Sequence, residues 1–165
     1  MEFINKLAEY IANYLDAAYG ILFVTFTLGR NTRITNNKIF AAITIVFIAV
    51  LGYLQDSTTD SVIQDSIIFT ICFLFSIFLL NRSISRKVFV SLIFLILLTF
   101  SNMFVTYSIV SFTQISIEQL CSPGVPRLFL LLLHKIVFFI FLFIASTLLR
   151  KQSITYQFCL IAAFL

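Results

Sequence analysis

The chain of 165 residues is 61% hydrophobic and only 11% charged, with a mean hydropathy of +1.07. That excludes an ordinary water-soluble domain, which carries about 25% charged residues to cover its surface. The net charge of +4 does not indicate a nucleic-acid binder, because the bases sit in short runs between apolar stretches and build no basic face with exposed aromatics. Lipid is left as the solvent.

Crossing about 30 Å of hydrocarbon takes about 20 apolar residues in a helix, and five stretches approach that length. Ile4, Leu7, Ala8, Ile11 and Leu15 recur at helical spacing while Lys6, Glu9 and Asn13 fall elsewhere on the wheel, an amphipathic lead-in. It enters a first span at 14–28, interrupted by Asp16 and closed by Gly29 and Arg30. The second span, 39–54, rises about 24 Å and needs Asn36 and Asn37 to extend it at the interface. The third is 62–80, and the fourth, 88–112, is long enough to tilt. Two prolines and a glycine in 122–126 end one helix and set the start of the fifth span, 128–149. A last apolar run, 154–165, rises only about 18 Å, too little to cross, and predicts either a chain cut inside a sixth helix or a short re-entrant or interfacial piece. Continuous runs of this length are not barrel strands. The expected fold is therefore all-α: one polytopic transmembrane bundle over 1–165, with five full spans and a partial sixth.

The connections alternate in charge. Arg30, Arg33 and Lys38 are followed by Asp56, Asp60 and Asp65, then by Arg82, Arg86 and Lys87, then by Glu118 and Arg127, and finally by Arg150 and Lys151. Lys and Arg are retained on the cytoplasmic side. This pattern predicts a multi-pass protein of a bacterial inner membrane, with its N-terminus outside and all seven acidic residues outside or at the outer interface. Glu2 and Glu9, in place of a basic leader, speak against a cleavable signal peptide.

Little in the chain suggests chemistry. Phosphate-binding loops, nucleophile elbows and zinc-peptidase motifs are missing, so no enzymatic activity is expected. Cys72, Cys121 and Cys159 have neither paired spacing nor clustered histidines, so neither a metal nor a cofactor is expected. Cys72 and Cys159 read as packing residues. Cys121 lies 13 residues before the single histidine, His134, and the turn between them separates the two.

His134 and Lys135 form the one strongly polar pair well inside a span. Either Lys135 snorkels to the outer interface beside a hydrogen-bonded His134, or the two line a polar pocket, with Asp65 at similar depth as the partner of Lys135. In the fourth span Thr99, Asn102 and Thr106 share one helical face, expected to pack against a neighbouring helix or to line a ligand site.

Three stretches carry a family resemblance. They are the basic loop opening a long helix over 81–94, the polar centre Ser101, Asn102 and Met103, and the turn 124–128 leading into an apolar helix with Lys135 early and Arg150 and Lys151 at its end. Over about 30–165 the layout resembles the membrane sensor of AgrC-like quorum-sensing histidine kinases, whose catalytic part is a GHKL-type ATPase domain. Many relatives carry an acid where Asn102 stands. The resemblance implies a sensor that binds a secreted peptide at its outer loops, 57–61 and 113–127, and signals by helix rearrangement. His134, Lys135, Asp65, Asn102 and Arg127 are the candidate ligand-binding residues. The expected partners are the bilayer, an extracellular peptide and a second copy of the chain. The phospho-acceptor, Asn-box and ATP-lid motifs of the kinase are missing, so this segment would not phosphorylate anything. The alternatives are a small transport component resembling a vitamin-binding subunit, or a membrane assembly protein without a ligand.

Overall fold

The computed structural model describes residues 2–29, 36–58, 61–113 and 115–151. These form six helices: α1 (Glu2–Leu28), α2 (Asn37–Asp56), α3 (Ser61–Leu79), α4 (Ile84–Thr113), the short α5 (Ile117–Cys121) and α6 (Val125–Lys151). α1, α2, α4 and α6 are long and apolar enough to cross a membrane. α3 is apolar but shorter, its 19 residues rising about 28 Å. The amphipathic lead-in and the first span are one continuous helix, since no breaker separates them. The run at 154–165, Arg30 and Arg33, Cys159 and the side chain of Cys121 lie outside what is described.

α1 is the central post, packed against α2, α3, α4 and α6. Half of its membrane-length window (50%) is buried inside the bundle, against 17–33% for α2, α4 and α6. This accounts for its composition. A helix ringed by protein can carry polar groups, whereas its neighbours turn Val46, Val50, Ile96, Phe104, Phe139 and Phe143 outward and are exposed there. An outer surface of this kind suits lipid.

The core joins Ala17, Ile21, Val24 and Leu28 of α1 to Leu51, Cys72, Phe75, Phe94 and Phe138. Phe47 and Phe75 meet edge-on at 5.3 Å, and Phe94 and Phe138 lie 5.5 Å apart. Gly20 lets α1 approach this cluster closely. A Cβ there would lie 2.9 Å from the buried Cys72 Sγ and 3.0 Å from the Phe94 ring.

α1, α3 and α6 all end at one end of the bundle, and the segment 81–87 ties their last turns together. Arg82 Nε donates to the Leu28 carbonyl at 2.8 Å. Lys87 Nζ lies 3.5 Å from the Ile77 carbonyl, and an Arg86 guanidinium nitrogen 3.5 Å from that of Leu149. The last carbonyls of a helix have no partner within it and carry partial negative charge, so cations are favoured there. This is how Lys87 stands only 2% exposed. At the opposite end Ser116 and Gln119 cap α5 reciprocally. The chain then turns through Ser122, Pro123 and Gly124 into α6, the break expected from its prolines and glycine.

Gly20→Ala is expected to lower the thermal midpoint in detergent, costing about 1–3 kcal/mol, since both facing atoms are buried and have nowhere to move. Gly124→Ala is expected to leave it unchanged, because its Cβ would meet the nearest atom, Pro126 Cδ, at an ordinary 3.5 Å. Thermal unfolding of the two variants side by side checks the pair.

Candidate functional site

α1 and α6 both start at the end of the bundle opposite 81–87, so they run parallel. Glu9 and Asp16 are two turns apart on α1, and Arg127 and Lys135 just over two turns apart on α6. Parallel packing brings these spacings into register as two rungs. Arg127 meets Glu9 at 2.6 Å with side chains 31% and 36% exposed, while Lys135 Nζ meets Asp16 Oδ2 at 2.6 Å with side chains 11% and 12% exposed. The first rung is a rim contact. The second lies about 11 Å deeper along the helices and is enclosed.

His134 extends the enclosed rung toward α4. Its Nε2 is 2.9 Å from Ser101 Oγ, and that hydroxyl donates to the Leu98 carbonyl at 2.9 Å. With the hydroxyl hydrogen so used, Ser101 accepts and His134 Nε2–H donates. The imidazole stacks on Phe138 with centroids 5.7 Å apart, and Phe138 meets Tyr19 and Phe94 in turn. These rings form an aromatic floor between the polar cluster and the basic end of the bundle.

The cluster has spare hydrogen-bonding capacity. Asp16 Oδ1 is buried without a partner. Three turns nearer the rim on the same face of α1, Asn5 is 2% exposed, and neither end of its amide has a partner. Buried groups left unsatisfied in this way are expensive, so Asn5 and Asp16 offer hydrogen-bonding capacity on the α1 face toward the bundle, as Thr27, Gln55 and Ser91 do elsewhere. The side chains of the Asp16–Lys135 pair are largely enclosed. A cleft of about 530 Å³ lies elsewhere, toward the basic end, between Phe26 and the Phe143–Arg150 turns. No group of three metal-ligating side chains occurs among the described residues.

The structure brings together His134, Lys135 and, at the rim, Arg127 from among the residues singled out in the sequence. It places Asp65 and Asn102 apart from them. The partner of Lys135 is Asp16, not Asp65, because α1 rather than α3 is the helix that α6 lies along. Asp65 sits half-buried on α3. Lys135 does not snorkel; it is 9% exposed, and its charge is met within the bundle. Asp16 is accordingly an interior residue of the bundle. Asn102 and Thr99 are exposed and Thr106 is half-buried, because the inward positions of α4 are taken by Phe94, Leu98, Ser101 and Val105. Asn102 is one residue, or 100° of helix rotation, away from the serine that faces the site.

Sequence reasoning missed Asp16, Ser101, Glu9 and Asn5. Asp16 did leave a signal, as a lone carboxylate in an apolar run at a depth matching Lys135. Ser101 lies on the spacing of the buried apolar positions of α4, which is also readable. Comparison with known protein families, curated proteins and solved structures returns no match.

Removing one member of the enclosed ion pair strands the other. Lys135→Met is expected to destabilise the bundle by roughly 3–5 kcal/mol, whereas Asp16→Leu combined with Lys135→Met should recover most of that loss. Equilibrium unfolding of both single variants and the double variant in detergent measures the coupling. Additive losses would contradict the pairing.

Proposed function

We propose that this chain is a ligand-sensing membrane domain of the AgrC-like type, set in a bacterial inner membrane with the start of α1 outside and the 81–87 segment in the cytoplasm. The enclosed Asp16–Lys135 pair carries the reading. Desolvating two charges costs more than packing two apolar side chains of the same size, so such a pair is a poor choice for stability alone and a good one for a switch. It joins the central helix to α6, with a spare carboxylate oxygen beside it and a rim of Glu9 and Arg127 above it. A peptide entering from that end offers amides and a carboxylate that compete for Lys135 and Asp16. A ligand that favours one α1–α6 arrangement over another shifts the population between them. α6 delivers that shift to the basic end.

The orientation is supported by the gathering of Arg82, Arg86, Lys87 and Arg150 at one end of the bundle, in keeping with retention of basic residues in the cytoplasm. A transport reading draws on the depth of the ion pair. Lys135 stands 14 residues from Leu149, about 21 Å within a layer of about 30 Å. Transport sites of that kind are commonly built on discontinuous helices, whereas α1 and α6 run unbroken through the cluster.

Two measurements test the proposal. In intact spheroplasts a membrane-impermeant maleimide is expected to label Glu118→Cys directly and Ser85→Cys only after permeabilisation, each read as the gain over the parent chain; the reverse result overturns the orientation. Peptides fractionated from spent culture medium are then titrated against the chain in lipid nanodiscs. Saturable binding by one peptide, weakened at least tenfold in the Asp16→Leu, Lys135→Met double variant, supports the sensor. Saturable uptake of a small solute into vesicles, with no peptide bound, favours the transport reading.

A further inference from the structure

The outward stripe on α4 has no role in the site just described. Asn102 lies 15 residues beyond Lys87, about 22 Å along the helix and so well inside a hydrocarbon layer of about 30 Å. Its carboxamide is exposed and makes no hydrogen bond to a described residue. Thr99 and Thr106, three residues before it and four after, share its face and are likewise without a side-chain hydrogen bond. Threonines elsewhere in the bundle vary: the Thr27 hydroxyl is buried without a partner among the described residues, and others bond back to their own helix. Thr25, Thr44, Thr113 and Thr147 each donate to the carbonyl one turn back, at 2.7–2.9 Å. The spacing of three and four residues is that of a helix–helix seam.

We propose that this stripe is the contact between two copies of the chain, with α4 packed parallel on its twin and the two Asn102 side chains hydrogen-bonded to each other. The chemistry points to a second copy. A carboxamide has one acceptor and one donor group, so it complements itself when two of them meet about a two-fold axis. Copies in one membrane share orientation and depth, which puts each Asn102 level with the other. Thr99 and Thr106, small and β-branched, flank the amide and let the two backbones approach. Exposed Leu92 and Met103 extend the seam with apolar contact. A single asparagine in such a seam fixes register and partner number. The inference needs only that α4 spans the membrane and is independent of any ligand.

The test uses the full chain, labelled at its N-terminus with donor or acceptor dye and reconstituted into phosphatidylcholine vesicles over a range of lipid-to-protein ratios. Wild-type chains are expected to show energy transfer that falls on dilution in lipid, as a monomer–dimer equilibrium does. Asn102→Leu should weaken association about threefold to thirtyfold, the span found for polar contacts between membrane helices. Asn102→Gln, which keeps a self-complementary amide, should restore part of it. Phe139→Leu, on the outer face of α6, should change nothing. At a dilution where both proteins are monomeric, the thermal midpoint of Asn102→Leu should match the wild type, because the amide makes no bond within the chain. Absence of transfer in the wild type at every dilution overturns the proposal. So does unchanged association of Asn102→Leu, or a thermal midpoint of the monomer lowered by that substitution, which would show that the amide is used within its own chain.

Discussion

An ammonium and a carboxylate held 2.6 Å apart between two parallel helices constrain the whole layout. Buried in an apolar bundle either charge alone is costly, so Asp16 and Lys135 face each other, and this fixes the rotation and the axial register of α1 against α6 together. The Glu9–Arg127 contact follows from the same register two turns away. Once α1 is committed to α6 along its polar face, its small and apolar positions, Ala17, Gly20, Ile21 and Val24, are left to receive the remaining helices. The least apolar of the membrane-length helices thus becomes the centre of the bundle.

The basic end is governed by a related constraint. Three helices finish there, each with unpaired carbonyls that lipid cannot satisfy. A segment of seven residues, 81–87, supplies cations to all three through Arg82, Arg86 and Lys87. The positive charge at this end therefore has two roles in the proposed topology. It holds the orientation of the chain in the membrane, and it closes the helix termini that the orientation places side by side.

Two groups of polar side chains stand out. Asn5, Asp16, His134, Lys135 and Ser101 turn inward, where they pair or leave spare capacity near a pair. Those at Thr99, Asn102 and Thr106 turn outward, with nothing in the described chain to meet them. The first arrangement supports the ligand-responsive reading and the second supports a partner in the membrane. The two meet on α4, where Ser101 faces the bundle and the next residue, Asn102, faces outward.

The sequence by itself determined the helical class, the rough extent of the long helices though not the short α5, and the separation of charge along the chain. These are local properties: runs of apolar residues, a turn of prolines and glycine at 122–126, and bases at alternate connections. It also marked His134 and Lys135 as out of place in a span. Which carboxylate would answer Lys135 was not legible, because Asp16 and Asp65 were both available at suitable depth and the choice depends on which helix lies beside α6. Nor was the direction of the α4 stripe, since a polar face on an apolar helix looks the same whether it meets its own bundle or another molecule. Only the tertiary structure decided these, because partner choice across 119 residues of sequence is set by how helices pack and not by anything written near either residue.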